Sequence, residues 1–326
     1  MMEESDSGRR LPQPARLEQA ARAAWLYYIG GRTQDEVAAQ LNISRQGAQR
    51  LVALALAEKL IKFRLDHPIE ACMQLGQALA ERFQLRYCEV VPRDDGPGGP
   101  LAGLAIAGAR YLERWLANRA PLVLALSTGR TLRAIVAEVS PMDAPQHKLL
   151  SLCGTIAADG RANSVEPVVR LAERTGAQCY PMPTPVVAAT VAERELMQSQ
   201  RSFTTLRALL DEARCIMVGV GNVGWRSPMH ASGYISDTEL TELIEAGAVG
   251  EISGWSFTAD GKLLRGCVNA RVTGLPVTTR PGCVTVGVGA GPQKVQAMRA
   301  ALHGGLLNAV ITDEATAAAI LADTAT

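Results

Sequence analysis

The stretch Thr33–Arg50, TQDEVAAQLNISRQGAQR, reads as two short helices joined by a tight turn. Thr33 can cap the first helix with its hydroxyl while Glu36 reaches back to it, a capping box. Val37, Ala38 and Leu41 then form the buried face. Asn42-Ile43 makes the turn, since asparagine tolerates a left-handed backbone. Ser44 caps a second helix that is expected to continue towards Lys59, with Ala48, Leu51, Val52 and Ala55 inward. The outward side of that helix carries Ser44, Arg45, Gln46, Gln49 and Arg50, with no acidic residue before Glu58. Arginine can hold guanine and glutamine can hold adenine through paired hydrogen bonds, and a capped helix start can hold phosphate. Together with Gln34 at the head of the preceding helix, these residues predict a helix-turn-helix that reads the major groove of DNA. Arg32, Lys62 and Arg64 are candidates for additional phosphate contacts.

Working outward, an earlier helix is expected over Leu17–Ile29, with Leu17, Ala20, Ala21, Ala24 and Tyr28 on one face and Gly30-Gly31 as its stop. Beyond the second helix, Leu60–Leu65 alternates like a strand, one side of a small wing. The expected module covers residues 15–68. Residues 1–14 read as a disordered arm, and their lack of an apolar core and cleavage site argues against a secretory signal. Residues 1–68 hold ten Lys or Arg against eight Asp or Glu. Any attraction to DNA must therefore come from arranging charge on one face rather than from bulk charge.

The rest of the 326-residue chain, 69–326, is far longer than DNA reading requires. A helix over Ile69–Phe83, carrying Met73, Leu75, Leu79 and Phe83, is expected to link the halves, followed by a strand at Tyr87–Val91 and a loop over 92–100. Apolar strands are predicted at Leu122–Leu126, Leu149–Cys153, Cys215–Val220, Val284–Val288 and Ala309–Thr312. Helices are predicted at Thr131–Val139, Val165–Thr175, Asp237–Ala246, Pro292–His303 and Glu314–Ala322. Apolar strands alternating with helices indicate an α/β domain with a doubly wound, mainly parallel sheet. The apolar run Leu101–Ala109 is too short to cross a bilayer. Seven cysteines, odd in number and widely spaced, suggest neither a disulfide framework nor a metal site, and so a reducing, cytoplasmic setting with mostly buried thiols.

Three turns carry the candidate ligand chemistry. Ser127-Thr128-Gly129-Arg130-Thr131 joins a strand to a helix, offering hydroxyls, open backbone and a helix N-terminus for an oxygen-rich or anionic ligand, with Arg130 as a charged donor. Gly287–Lys294 is a second strand-to-helix turn, with Pro292 suited to the first helical turn and Lys294 placed to point over a pocket. Asp313 follows the last strand, where it either meets the ligand or caps the final helix.

The chain resembles the SorC family of bacterial sugar-responsive regulators. The resemblance is carried by Trp25-Leu26-Tyr27-Tyr28, Thr33-Gln34-x-Glu36-Val37-Ala38, Leu41–Arg45 and Arg50-Leu51. Further matches are Ser127–Leu132, Leu152-Cys153-Gly154, Gly219-Val220-Gly221, Gly247–Ile252, Lys294 and Ile311–Thr316. Tyr87–Val90 and Tyr180–Pro183 resemble the branch that controls sugar-alcohol catabolism. The resemblance implies a sensor domain related in fold to ribose-5-phosphate isomerase and glucosamine-6-phosphate deaminase. It also implies a Lys294 that contacts a small sugar, polyol or sugar-phosphate effector. Where the family often has Phe-Asp with a ligand-binding carboxylate, this chain has Phe257-Thr258, so Thr258 would make a hydroxyl contact instead; the adjoining Asp260-Gly261 can equally be a hairpin turn.

Two enzymatic readings compete. Gly219-Val220-Gly221-Asn222-Val223-Gly224 spells the dinucleotide fingerprint, but Trp225-Arg226-Ser227-Pro228 follows where the phosphate-binding helix should begin. A sugar-phosphate isomerase would find candidate acid and base groups in Asp260, Asp313 and Glu314, yet would have no use for residues 17–66. The expectation is therefore a non-enzymatic, cofactor-free regulator: a homo-oligomer, dimer or tetramer, on palindromic operator DNA with no membrane partner. Its two half-sites should lie about one helical turn, or a multiple of it, apart.

Overall fold

The computed structural model describes residues 13–61, 69–96, 99–157, 159–162 and 166–322. The chain divides into two compact units, Met1–Pro68 and Ile69–Thr326.

In the first unit a helix spans Gln13–Ala24 and runs into a π-helical turn, Trp25–Ile29. The helix thus starts four residues before Leu17, taking in the end of the expected arm, because Pro14 is compatible with a first helical turn. The π turn closes through the Gly30 N–H to the Trp25 carbonyl, 2.9 Å, and Gly30 ends it as expected. Helices Gln34–Leu41 and Arg45–Ala57 follow. Ala23, Leu26, Val37, Ala38, Ala48 and Val52 form one small core, and Ala20, Ala24 and Ala55 a second. Alanines at these crossings let the first and third helices approach closely. The third helix stops at Ala57, and Lys59 turns to a positive φ of 55°. Leu60 and Ile61 are not in a strand; the remainder of the expected wing, 62–65, lies outside the described residues.

The second unit is built on a seven-stranded parallel sheet. Its strands are β1 (Tyr87–Val91), β2 (Val123–Leu126), β3 (Lys148–Ser151), β4 (Gln178–Tyr180), β5 (Cys215–Gly219), β9 (Val284–Val288) and β10 (Ala309–Asp313); a small antiparallel sheet holds β6 (Gly221–Asn222), β7 (Ala248–Ile252) and β8 (Trp255–Thr258). The parallel order is β1-β10-β9-β5-β2-β3-β4. Both faces are buried, with successive residues pointing to opposite layers. Val123, Ala125, Ile216 and Val218 pack towards helices Glu70–Phe83, Arg201–Glu212, Val295–His303 and Glu314–Ala322. Leu124, Leu126, Cys215 and Met217 pack towards helices Leu101–Leu116, Arg130–Glu138 and Pro167–Thr175.

Helix Glu70–Phe83 packs within the second unit: Cys72 and Leu79 lie in the sheet's core, while Met73 faces outward. The apolar run at 101–109 is the first half of a 16-residue helix that covers one face of the sheet. Among the described residues no helix is long and apolar enough to cross a membrane. Cys72, Cys153, Cys215 and Cys283 are buried free thiols, whereas Cys179 and Cys267 are exposed.

The parallel registers bring the C-terminal ends of all seven strands to one edge. From β2 the chain moves outward to β3 and β4, whereas β5, β9 and β10 lie on the other side of β2. The β2–β5 crevice is therefore the topological switch point, where sheets of this kind bind ligands.

Candidate functional site

The helix-turn-helix has the geometry its residues predict. Thr33 and Glu36 form the reciprocal capping box, and Asn42 adopts φ 53° at the turn. Ser44 Oγ accepts the Gly47 N–H at 3.1 Å, fixing the start of the second helix. Ser44, Arg45, Gln46, Gln49 and Arg50 are all exposed, and Gln34 is partly exposed. Arg45 meets Asp35 at 3.5 Å with both side chains 69% exposed, and Arg50 reaches Gln46 at 3.4 Å. Contacts this open are worth at most about 1 kcal/mol, so both guanidinium groups remain available to a duplex. Ser44→Ala is expected to destabilise the first unit by about 0.5–2 kcal/mol, measurable as an earlier loss of its helical signal in urea.

In the second unit the structure gathers Ser127, Thr128, Gly129, Arg130, Thr131, Lys294 and Asp313 along the C-terminal edge of β2, β9 and β10. Ser127 is 2% exposed and ties β2 to β5: its Oγ accepts the Gly219 N–H at 3.0 Å. Gly129 has φ 127°, a conformation that excludes other residues, and no side chain caps the helix it starts. The first-turn N–H groups there face an open loop, suited to an anion or a hydroxyl-rich ligand. Arg130 is exposed, and Thr128 and Thr131 are half-buried.

Lys294 ends a short 3₁₀ turn, Pro292–Lys294, that precedes the α-helix Val295–His303. Its Nζ donates to the Val220 carbonyl just beyond β5. Burial lowers its pKa from the usual lysine range; the Glu251 carboxylate opposes that shift and the Arg130 charge reinforces it. Glu251, on β7, is the complementary group. Burial raises its pKa, against a hydrogen bond from the Gly254 N–H (3.0 Å) and the charge of Lys294. Arg130, Lys294 and Glu251 thus share one electrostatic environment at the switch point.

Cys153 shares the Glu251 charge: its thiol is pushed up to about 12 chiefly by burial, against the Thr128 peptide N–H. Glu251 was not identified as a site residue from its sequence. Its signals there are a carboxylate interrupting the apolar run Ala248–Ile252 and its place in the Gly247–Ile252 family motif. A Cβ on Gly221 would lie 2.0 Å from Glu251 Oε1. Gly221→Ala should therefore displace the carboxylate while preserving the fold, lowering effector affinity in a calorimetric titration with little change in melting temperature.

Two expected residues have hydrogen-bond partners within the protein. Asp313, 4% exposed, caps the final helix by accepting the Thr316 N–H at 2.9 Å. Thr258 is held inside its own hairpin, donating to Asp260 and to the Lys262 carbonyl (3.1 Å). That hairpin turns at Gly261, which packs against Ala300 and Gly304 at the end of helix Val295–His303. Those contacts lie six to ten residues beyond Lys294, about 9–15 Å along the helix axis. The Gly219–Gly224 fingerprint does not lead into a helix: it passes through β6, and the next helical residues are the four of Pro228–Ala231.

A separate cavity of about 430 Å³ lies at the opposite, N-terminal edge of the sheet, lined among others by Lys148, Asp211, Arg214 and Arg280. Arg280 is already committed there to the carbonyls of Leu210 and Ala213.

A family model described as "Putative sugar-binding domain" matches residues 67–322. The chain is 35% identical over 302 residues to the erythritol catabolism regulatory protein EryD of Brucella abortus, covering 93% of this chain and 96% of that protein. It is 30% identical over 314 residues to the transcriptional regulator LsrR of Klebsiella pneumoniae, covering 94% of each. The fold matches that of the full-length sorbitol operon regulator SorC from Klebsiella pneumoniae with a TM-score of 0.68 at 19% identity, over 94% of this chain and 99% of that one. A DeoR family transcriptional regulator from Listeria monocytogenes matches with a TM-score of 0.68 at 24% identity, over 77% of this chain and 100% of that one. With its sugar-binding domain and near full-length kinship to named regulators, the chain belongs to the SorC family of transcriptional regulators.

Proposed function

We propose that this protein regulates transcription of a sugar or polyol catabolic operon. Arg45, Gln46, Gln49 and Arg50, with Gln34 and Ser44, grip palindromic operator DNA. Occupancy of the switch-point crevice by a small polyol, sugar or sugar phosphate alters that grip. The protein acts as a homo-oligomer in the cytoplasm, and it is a sensor rather than an enzyme. The observation that carries the reading is the exposed, acid-free face of the helix Arg45–Ala57. Kinship to a regulator of erythritol catabolism directs the effector reading towards short polyols and their phosphates. Lys294, Arg130 and the open turn at Gly129 suit such ligands, because they pair positive charge and backbone donors with hydroxyl or phosphate oxygens.

The test has two arms. A thermal-shift screen over erythritol, other polyols, sugars and their phosphates should give a ligand that raises the melting temperature, since binding to the folded state stabilises it by mass action. Anisotropy titration against the promoter DNA of the protein's own operon should show specific binding that the same ligand shifts by about 5- to 150-fold. Affinity for promoter DNA no greater than for scrambled duplex would reject the regulatory reading.

A further inference from the structure

The last helix, Glu314–Ala322, begins on the candidate edge and packs against the first helix of the same unit. Its opening turn faces two ways. On one side the Thr316 hydroxyl accepts the Gly291 N–H at 2.8 Å, at the head of the Lys294 turn. Thr312 at the end of β10 likewise donates to the Gly289 carbonyl at 2.8 Å. On the other side the Glu314 carboxylate accepts the Arg93 N–H at 2.7 Å, and its charge acts on the thiol of Cys72. Cys72 is 6% exposed; burial and then the Glu314 charge push its thiol up to about 11. It sits in the first turn of helix Glu70–Phe83, which opens just after the boundary between the two units at Pro68. At the far end Arg82 donates to the Leu321 carbonyl at 2.7 Å, and Leu79, Ala317 and Ile320 share one core.

We infer that Glu314 is a positioning residue that passes the state of the Gly287–Lys294 turn to Cys72, at the first helix beyond the unit boundary. The inference rests on the proposed function in taking that turn as part of the effector site. The physical argument is one of lever and clamp. A short helix moves as a rigid body, so a displacement that reaches Thr316 from Gly291 must also move Glu314, two residues away on the opposite side of the helix. The charge-assisted bond from the Glu314 carboxylate to the Arg93 N–H resists stretching more than a neutral contact would, and the packing of Leu79 on Ala317 and Ile320 with the Arg82–Leu321 bond ties the two helices side by side. Coupling of this kind travels through contiguous hydrogen bonds and packed helices.

The test uses the full chain and needs no identified effector. Thr316→Val removes the acceptor for the Gly291 N–H, and Glu314→Gln removes the charge at the other end of the lever. Hydrogen exchange followed by mass spectrometry reads the amides of residues 70–76, and anisotropy reads affinity for the promoter DNA. Thr316→Val should change both readouts by about threefold or more, and in the Glu314→Gln background the same substitution should change each by less than about 1.5-fold. Thr316→Ser, which retains the acceptor, should restore wild-type behaviour. Cys72→Ser should preserve the coupling and Cys72→Ala should weaken it, a distinction that simple loss of packing would not make. Effects of Thr316→Val that are absent at residues 70–76, or that add independently of Glu314→Gln, would overturn the inference. Should the wild-type chain not bind the promoter at all, the regulatory reading fails, while the exchange arm still decides the relay.

Discussion

Arg45→Ala is expected to weaken specific operator binding by about 1–3 kcal/mol, roughly 5- to 150-fold, while leaving the fold intact. The side chain is 69% exposed and its charged neighbour, Asp35, is equally exposed, so losing this pair leaves no buried group unsatisfied. Alanine is also the best helix former, and the Ser44 cap that fixes the helix start is untouched. The loss should be concentrated at one base position. A matched titration against operators varied base by base would show reduced discrimination there and little change against scrambled DNA. A uniform loss on all duplexes, with a salt slope reduced by about one, would instead assign Arg45 to a phosphate. Unchanged affinity would remove it from the interface.

The second large effect is expected at Lys294. Lys294→Met should abolish the effector-induced rise in melting temperature and the effector's influence on DNA binding, while leaving effector-free DNA binding within about twofold of wild type. The variant should also be at least as heat-stable as wild type without effector at pH 7. Burial depresses the folded-state pKa of this ammonium. A depressed group contributes stability above its ordinary pKa and loses that contribution as pH falls through the folded value. At neutral pH the charged amine is therefore held at a cost, which methionine of similar length removes. Glu251 has the opposite sign: its raised pKa makes the folded state most favoured where the carboxyl is protonated, a contribution lost as pH rises through the folded value. Two ionisable groups that each resist charging in this crevice fit a site that awaits a polar ligand, and binding that supplies hydroxyl or phosphate oxygens would offset the desolvation. A Lys294→Met protein that still responds at the same ligand concentration would exclude the crevice as the effector site.

Much of the architecture was legible because its causes are local. The capping box at Thr33 and Glu36, the left-handed turn at Asn42 and the cap at Ser44 each depend on residues within four positions of one another. The strands around Val123–Leu126, Cys215–Gly219 and Val284–Val288 were readable because burial on both faces demands continuous apolar runs. Helix Leu101–Leu116 was missed for a different reason. Its buried residues, Leu104, Gly108, Tyr111, Leu112 and Leu116 among them, do recur at helical spacing, but its first half is a run of small and apolar residues interrupted by Gly103 and Gly108, which weakens the local helix signal. Strand β6 has only two residues and no periodicity to detect.

What the amino-acid order alone determined was the helix-turn-helix with its outward Arg45 and Arg50, the parallel α/β sheet, and the turns that end its strands, because caps, turns and burial periods are written in neighbouring residues. Which of those turns act together was decided only by tertiary structure. Lys294 meets the Val220 carbonyl and the field of Glu251 and Arg130 across four segments distant in the chain, and Thr258 is drawn into its own hairpin by Asp260 and Lys262. A lone carboxylate in a strand, or a lysine after a glycine turn, reads the same whatever faces it; packing chooses the partner and shifts the pKa, and that choice depends on the crossing order of the strands.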